Sequence, residues 1–177
     1  MSKYQIDNQY LLDRTAIYDV IARYFHGIDC RNLDEVRSCF TEDVQAHYDE
    51  RPAVRGINEL VKTFRTFNRM EAAKRKITTH FMGNFNILLL EGDLAETETN
   101  AIAFLVQPHK PKDQVSIRSL RYLDRLRRVK DGWRISERIH TLDWSCQVPA
   151  TFAKGWATIG DVPPGRSSDK AERSLII

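Results

Sequence analysis

The first half of the chain carries apolar residues at helical spacing. Between Asp13 and Asp29 they recur every three or four positions, which predicts an amphipathic helix with Asp13 as its N-cap. Its apolar stripe consists of Ile17, Val20, Ile21, Tyr24, Phe25 and Ile28. The segment from Asn32 to Glu35 resembles a capping box and predicts a short second helix. A third helix is predicted from Ile57 to Met70.

The second half changes to the two-residue period of strands. Long strands are predicted over residues 76–90, 95–107, 115–129 and 133–144, and a shorter one over 44–48. Short turns such as Glu91-Gly92-Asp93 separate the long strands, which favours an antiparallel meander. Helices followed by strands indicate an α+β fold. We expect a single domain over residues 1–162 and a C-terminal tail over 163–177, where prolines, serines and alternating charges predominate.

Composition excludes several classes of protein. With 177 residues, 42% of them hydrophobic, the chain is long enough for one real core. Its strongest apolar run, 86–90, is far too short to cross a membrane, and the first residues lack the apolar region of a secretory signal. Three cysteines without a CxxC spacing do not indicate disulfides, so we expect a protein of the reducing cytoplasm.

The basic residues are balanced by acidic ones. The formal net charge is only +3, although a cluster rich in arginine runs from Arg118 to Lys130. Such a cluster could contact nucleic acid, but it comes with neither an RNA-binding aromatic signature nor a helix-turn-helix. A solvated pair of strands laced with salt bridges is the favoured interpretation, and no nucleic-acid partner is predicted.

No motif indicates a cofactor. The chain contains no HExxH, HxH or Cys/His cluster for a metal, no P-loop, no GxGxxG and no GxSxG elbow. We therefore predict that any chemistry depends on ordinary side chains, without a metal or cofactor.

Three residues near the helices are candidates for proton transfer. Asp29 lies near the apolar stripe at the negative end of the first helix, where its charge is disfavoured and it would be a better base. It could equally be a turn aspartate that binds the backbone. Tyr24 on the same stripe, and Tyr48 on the short strand, are either core residues or donors of a hydroxyl to a pocket.

The strand around His80 has no charged residue between positions 77 and 90, so we expect both of its faces to be covered. One face is polar and suits a pocket wall: Thr78, His80, Met82, Asn84 and Asn86. The other is apolar and could meet helices or a second subunit: Phe81, Phe85, Ile87 and Leu89. A lone strand histidine is more often structural than catalytic, but these polar neighbours favour a role in a pocket.

Two blocks of sequence resemble a known superfamily. The first runs from Asp13 to Ile17, from Tyr24 to Asp34 and from Cys39 to Val44. The second comprises residues 121–124, 132–135 and 142–145. Together they resemble the SnoaL-like branch of the nuclear-transport-factor-2-like superfamily. The resemblance implies a cone-shaped α+β barrel, in which a curved antiparallel sheet wraps around the long helix and encloses a pocket.

The resemblance also implies an enzyme, since dehydratases, a dehydrochlorinase and isomerases of this superfamily use an Asp/His pair. Asp29 and His80 match that pair, and Tyr24 and Tyr48 match pocket tyrosines of such enzymes. A further acidic or histidine residue expected on the next strand is missing, because Asn100 and Ala101 stand there. We expect the substrate to contact Met82, Asn84, Asn100 and Trp144, and small Ala101 and Ala103 to leave room for a bulky, flat molecule.

These observations favour a cofactor-independent lyase or isomerase, of the dehydratase or retro-aldol type, that acts on a hydrophobic aromatic or cyclic small molecule. The alternatives are the non-catalytic small subunit of a ring-hydroxylating dioxygenase and a ligand-binding module of the same fold. We also expect a homodimer or homotrimer, because the apolar face of the strand around His80 needs a cover.

Overall fold

Three helices and six strands make up the part of the chain that the structure, a computed structural model, describes: residues 6–49, 51–64, 67 and 77–150. The helices are α1 (Asn8–Cys30), α2 (Leu33–Arg37) and α3 (Ile57–Thr63). The strands are β1 (Phe40–Tyr48), β2 (Val54–Arg55), β3 (Ile77–Glu91), β4 (Leu94–Gln107), β5 (Gln114–Val129) and β6 (Gly132–Pro149). The proposed tail, 163–177, lies outside the described residues.

The strands form one curved, open sheet in the order β2-β1-β6-β5-β4-β3. The meander from β3 to β6 is antiparallel, as the short turns predict. The sheet as a whole is mixed rather than antiparallel, because β1 pairs with β6 in parallel. A hairpin cannot make this pairing. The chain reaches the far edge of the sheet first and returns beside β1 only with its last strand.

Helix α1 begins six residues earlier than the pattern of apolar residues predicts. Its N-cap is Asp7, whose side chain accepts a hydrogen bond from the backbone of Tyr10, and not Asp13. Asp13 is buried instead, where it accepts a hydrogen bond from Trp133 Nε1 at 3.2 Å and pairs with Arg128 at 2.7 Å. A buried carboxylate with two such partners ties the helix to the end of the sheet.

The predicted second helix is confirmed, with Asn32 as its cap. It packs closely on the end of α1 at Gly27, where a Cβ atom would lie only 2.8 Å from a methyl group of Val36. The third helix begins after Gly56 as expected and ends at Thr63; residues 65, 66 and 68–70 of the predicted span lie outside the described residues.

Two irregularities in β3 change which side chains face the helices. The pairing with β4 shifts between Met82 and Phe85, and again between Ile87 and Leu89. An extra residue in a strand inverts the faces beyond it. Phe85 and Ile87 therefore pack on the same core as Met82, whereas Phe81 is 62% exposed. The prediction of one continuous apolar face on this strand was wrong.

The arginine-rich strand β5 is laced with ion pairs, as the favoured interpretation of its charges predicts. Arg121 pairs with Glu98 and Asp143, and Arg125 pairs with Glu96 and Glu137. These contacts run across the outer face of three neighbouring strands.

Candidate active site

Asp29 and His80 are in contact, as the sequence predicts. Asp29 lies in the last turn of α1, and its Oδ1 is 2.6 Å from His80 Nδ1 on β3. Its other oxygen, Oδ2, accepts a hydrogen bond of 2.7 Å from the backbone N–H of His80. One carboxylate thus holds both the main chain and the ring of the histidine. The two side chains are only 20% and 10% exposed.

This arrangement selects a tautomer of the histidine. A carboxylate can only accept a hydrogen bond, so the proton of neutral His80 lies on Nδ1 and leaves Nε2 with a lone pair. The ring of Phe25 stacks on His80 at 5.5 Å between centroids and fixes its plane. His80 is therefore oriented as a proton acceptor, and Asp29 is placed to stabilise the imidazolium that forms.

Two tyrosines bring their hydroxyl groups together beside this pair. The hydroxyls of Tyr24 and Tyr48 lie 3.4 Å apart. Burial raises the pKa of Tyr24 well above its ordinary value, and it raises the pKa of Tyr48 as well. Both phenols are therefore protonated at neutral pH, and they can donate hydrogen bonds or a proton.

His80, Tyr24 and Tyr48 line one cavity of about 100 Å³. The remaining lining residues are Ile28, Asp49, Arg51, Thr63, Phe64, Ala103, Leu105, Arg118, Leu120, Tyr122 and His140. As bounded by the described residues, this volume is below the roughly 300–1,000 Å³ of typical ligand sites. It suits a single ring and not the bulky ligand that Ala101 and Ala103 suggested, and only Ala103 of these two lines the cavity.

The four residues predicted to bind substrate do not line this cavity. Met82 is on the same face as His80 but packs into the core. Asn84 is exposed, because the irregularity after Met82 turns it outwards. Asn100 lies on the outer face of β4, between inward-facing Thr99 and Ala101.

Trp144 is 52% exposed near the end of β6. The pairing of β5 with β6 shifts between Ser119 and Leu120, so the strand beyond Leu142 no longer continues the inner face. Trp144 and the three residues above therefore lie outside the cavity that His80 lines, and their contact with a substrate stays a prediction.

A buried ion pair beneath Tyr24 was missed in the sequence. Arg138 donates hydrogen bonds of 2.7 and 2.8 Å to the two carboxylate oxygens of Asp124, and both side chains are fully buried. Burial opposes the charge of Arg138, but Asp124 outweighs this effect and the pKa of the arginine lies well above its ordinary value. The guanidinium carbon of Arg138 lies 4.1 Å from the ring centroid of Tyr24, which places a positive charge against its π face.

A second histidine of the cavity was also missed. His140 is only 6% exposed, and its ring stacks on Tyr48 at 5.0 Å. Its Nδ1 lies 3.2 Å from a carboxylate oxygen of Asp49. Burial lowers the pKa of His140 to about 4, aided by the positive charges of Arg138 and Arg118 and opposed by Asp49, so this ring is neutral at neutral pH.

Because of an irregularity in β6, the alternation of residues in the sequence did not indicate that Arg138 and His140 are buried. Buried Trp133 and Ile135 would continue inwards at Glu137 and Ile139 if the strand alternated regularly. The pairing shifts opposite Arg125 and Leu126, so that Ser136, Arg138 and His140 are buried while Ile139 is 48% exposed. The burial of Asp124 could have been predicted from the sequence, because it alternates with apolar Leu120, Tyr122 and Leu126.

The described part of the chain contains no group of three or more histidine, cysteine, aspartate or glutamate side chains that could hold a metal ion. None of its helices is long and apolar enough to span a membrane.

The chain is similar to known proteins both in sequence and in structure. The uncharacterized protein Rv2910c of Mycobacterium tuberculosis is 30% identical over 132 residues, which cover 73% of this chain and 84% of that protein. A provisionally named scytalone dehydratase from Novosphingobium aromaticivorans has a similar structure, with a TM-score of 0.70 and 18% identity over 84% of this chain and 100% of that one.

The hexachlorocyclohexane dehydrochlorinase LinA-type3 from Novosphingobium barchaimii has a TM-score of 0.69 and 16% identity, and the match covers 90% of this chain and 100% of the other. At these identities the two structures establish the fold alone. The model of the SnoaL-like domain family matches residues 9–139, which include nearly all of α1 and most of the sheet. The chain therefore belongs to the SnoaL-like domain family, within the nuclear-transport-factor-2-like fold.

Proposed function

We propose that this protein is a cofactor-independent lyase or isomerase that acts on a compact aromatic or cyclic small molecule by general acid–base catalysis. The observation that carries the proposal is the double contact of Asp29 with His80, at 2.6 and 2.7 Å, beside a cavity that His80 lines. A turn aspartate that only capped the backbone would not need to hold an imidazole as well.

In this proposal Nε2 of His80 removes a proton from the substrate, and Asp29 stabilises the resulting imidazolium. Tyr24 or Tyr48 donates to the oxygen that leaves or that develops negative charge. For loss of water, the bonding electrons of the C–H bond form the double bond, and the hydroxyl group leaves with the proton of a tyrosine. A proton passing from the imidazolium to the tyrosinate restores the site.

The walls of the cavity support a substrate with a single flat ring. Tyr24, Tyr48, Phe64 and Tyr122 surround it with aromatic surface, and Leu105 and Leu120 add aliphatic surface. A non-catalytic dioxygenase subunit needs no base in a pocket, and so it would not need the pair of Asp29 and His80 beside a cavity. The acid–base interpretation is therefore preferred over that alternative.

A substrate screen followed by two substitutions tests the proposal. Single-ring alcohols and halides are screened for loss of water, halide or formaldehyde and for double-bond migration. With the substrate found, His80→Gln and Asp29→Asn should each lower kcat by about 10²–10⁴-fold, the usual contribution of general acid–base catalysis.

Matched controls come from the same elements of the protein. His47→Gln changes an exposed histidine of β1, and Asp19→Asn changes an exposed aspartate of α1. Both should leave kcat unchanged. Turnover near the wild-type value in His80→Gln or Asp29→Asn, with the fold intact by circular dichroism, would remove that residue from the mechanism.

We also propose that the protein forms a homodimer or homotrimer. Phe81 is 62% exposed, pairs in register with 38% exposed Ile102, and contacts Phe104 in a T-shaped arrangement at 5.8 Å. Such an apolar patch favours burial against a second copy. Sedimentation velocity at micromolar concentration should give a species larger than 20.6 kDa that Phe81→Asp dissociates, and a wild-type monomer would contradict the proposal.

A further inference from the structure

The cavity of His80 also carries a group of charged side chains that the acid–base mechanism does not use. Among the residues that line it, Arg51 and Arg118 are positively charged and Asp49 is the one carboxylate. His140 adds a neutral imidazole at neutral pH. The two arginines offer positive charge at one end of the cavity, whereas the carboxylate of Asp29 lies at the other end, behind His80.

Arg118 has hydrogen-bond donors to spare. Its side chain is 26% exposed, and its charged partner among the described residues is Asp49, at 3.6 Å. This distance is longer than a hydrogen bond, and the guanidinium makes no hydrogen bond within the described part of the chain. A guanidinium carries five N–H donors in a planar fork that matches a carboxylate. Arg118 is thus the group of the cavity best suited to bind an oxyanion.

Asp49 holds this end of the cavity in place. Its φ of 52° is in the left-handed region, which a few non-glycine residues such as aspartate and asparagine tolerate. Its backbone N–H donates to the carbonyl of His140 at 2.8 Å and fixes the turn. The carboxylate thereby lies between Arg118 and His140, at 3.6 and 3.2 Å.

Two buried polar atoms there lack a hydrogen-bond partner in the described structure: Asp49 Oδ1 and His140 Nδ1. These two atoms lie 3.2 Å from one another. A second carboxylate cannot pair with Asp49 Oδ1, because both groups only accept hydrogen bonds, so the inference rests on the free donors of Arg118 and not on these two atoms.

We propose that Arg118 binds a carboxylate of the substrate, so that the substrate is a single-ring aromatic or cyclic carboxylic acid. The inference rests on the proposed function in that the ligand is the substrate of the same cavity. The ring lies between the aromatic walls, the reacting atoms face His80, and the carboxylate takes the donors of Arg118 that Asp49 leaves free. Asp49 positions Arg118 and does not touch the reacting atoms.

Benzoate and benzamide test this directly, because they share ring and size but differ in charge. Isothermal titration should show benzoate binding in the millimolar range or tighter, and benzamide at least about 10-fold more weakly, as expected for hydrogen bonds to a charged group. Arg118→Gln should weaken benzoate by about 10–100-fold and leave benzamide unchanged. Arg118→Lys keeps the charge and should retain part of the affinity, which separates loss of the ligand contact from damage to the fold.

Two further variants sharpen the result. Arg121→Gln removes an arginine of the same strand that pairs with Glu98 and Asp143 outside the cavity, and it should have no effect on benzoate. Asp49→Asn keeps the left-handed backbone and removes the competing carboxylate, so benzoate should bind more tightly. Benzoate should also shift the imidazole NMR signals of His140 and His80.

Equal affinity for benzoate and benzamide, undetectable binding of benzoate, or unchanged binding in Arg118→Gln would each overturn the carboxylate site. These measurements need no turnover, so they are independent of the acid–base mechanism. Loss of kcat in His80→Gln together with unchanged benzoate affinity in Arg118→Gln would overturn only this inference. The opposite pair of results would keep the carboxylate site and remove the mechanism.

Discussion

The ion pair of Asp124 and Arg138 should dominate the stability of the site. Asp124→Asn keeps the size of the side chain but leaves a fully buried guanidinium without its counter-charge. Two charge-assisted hydrogen bonds, of 2.7 and 2.8 Å, are weakened at once. Breaking a buried pair in this way costs about 3–5 kcal/mol, because the desolvation of the remaining charge is no longer offset.

The surface of the same two strands provides the control. Arg125 and Glu137 are the neighbours of Asp124 and Arg138 in sequence, and they pair with each other at 3.1 Å with side chains that are 59% and 48% exposed. An exposed pair contributes about 0–1 kcal/mol. Arg125→Gln should therefore change the free energy of unfolding far less than Asp124→Asn does.

Urea unfolding followed by circular dichroism measures both variants. With a slope of about 2 kcal/mol per molar urea, a loss of 3–5 kcal/mol lowers the midpoint by roughly 1.5–2.5 M. Replacing both partners, as Asp124→Leu with Arg138→Met, should cost less than the sum of the two single changes, because no unpaired charge remains. A cost below about 1 kcal/mol for Asp124→Asn, equal to that of Arg125→Gln, would refute this account of the buried pair.

Two other predictions concern titratable groups. The pKa of His140 falls from 6.5 in the unfolded chain to about 4 in the fold, so the unfolded state binds more protons between these values. Stability should therefore decrease as the pH falls from about 6.5 towards 4, by up to about 3 kcal/mol, and urea titrations of His140→Gln should lose this component. An equal pH dependence in the variant would contradict the assignment. Burial raises the pKa of Cys39 to about 11, whereas Cys146 is exposed. Ellman's reagent should modify Cys146 rapidly in the native protein and Cys39 only on unfolding, and a rapid phase that persists in Cys146→Ser would show otherwise.

The sequence by itself was enough for the fold class and for half of the site. Helical spacing placed Tyr24 on the buried stripe of α1 and Asp29 at its end, because local periodicity decides which side of a helix is buried. The alternation of β3 placed His80 on one face, and the family resemblance joined it to Asp29. The buried faces depend on local pattern, which can be read along the chain, whereas the contact between Asp29 and His80, 51 positions apart, came from the resemblance alone.

The other half of the site depends on pairing between strands. Each extra residue in β3 and β6 inverts the faces beyond it, and no local pattern of residues marks where the neighbouring strand forces that shift. For this reason Asn84 and Trp144 were expected to face the cavity and instead face away from it, while Arg138 and His140 were not predicted to belong to the site. Arg118 and Asp49 are 69 positions apart in the chain, and only the tertiary structure brings their charges together at the cavity.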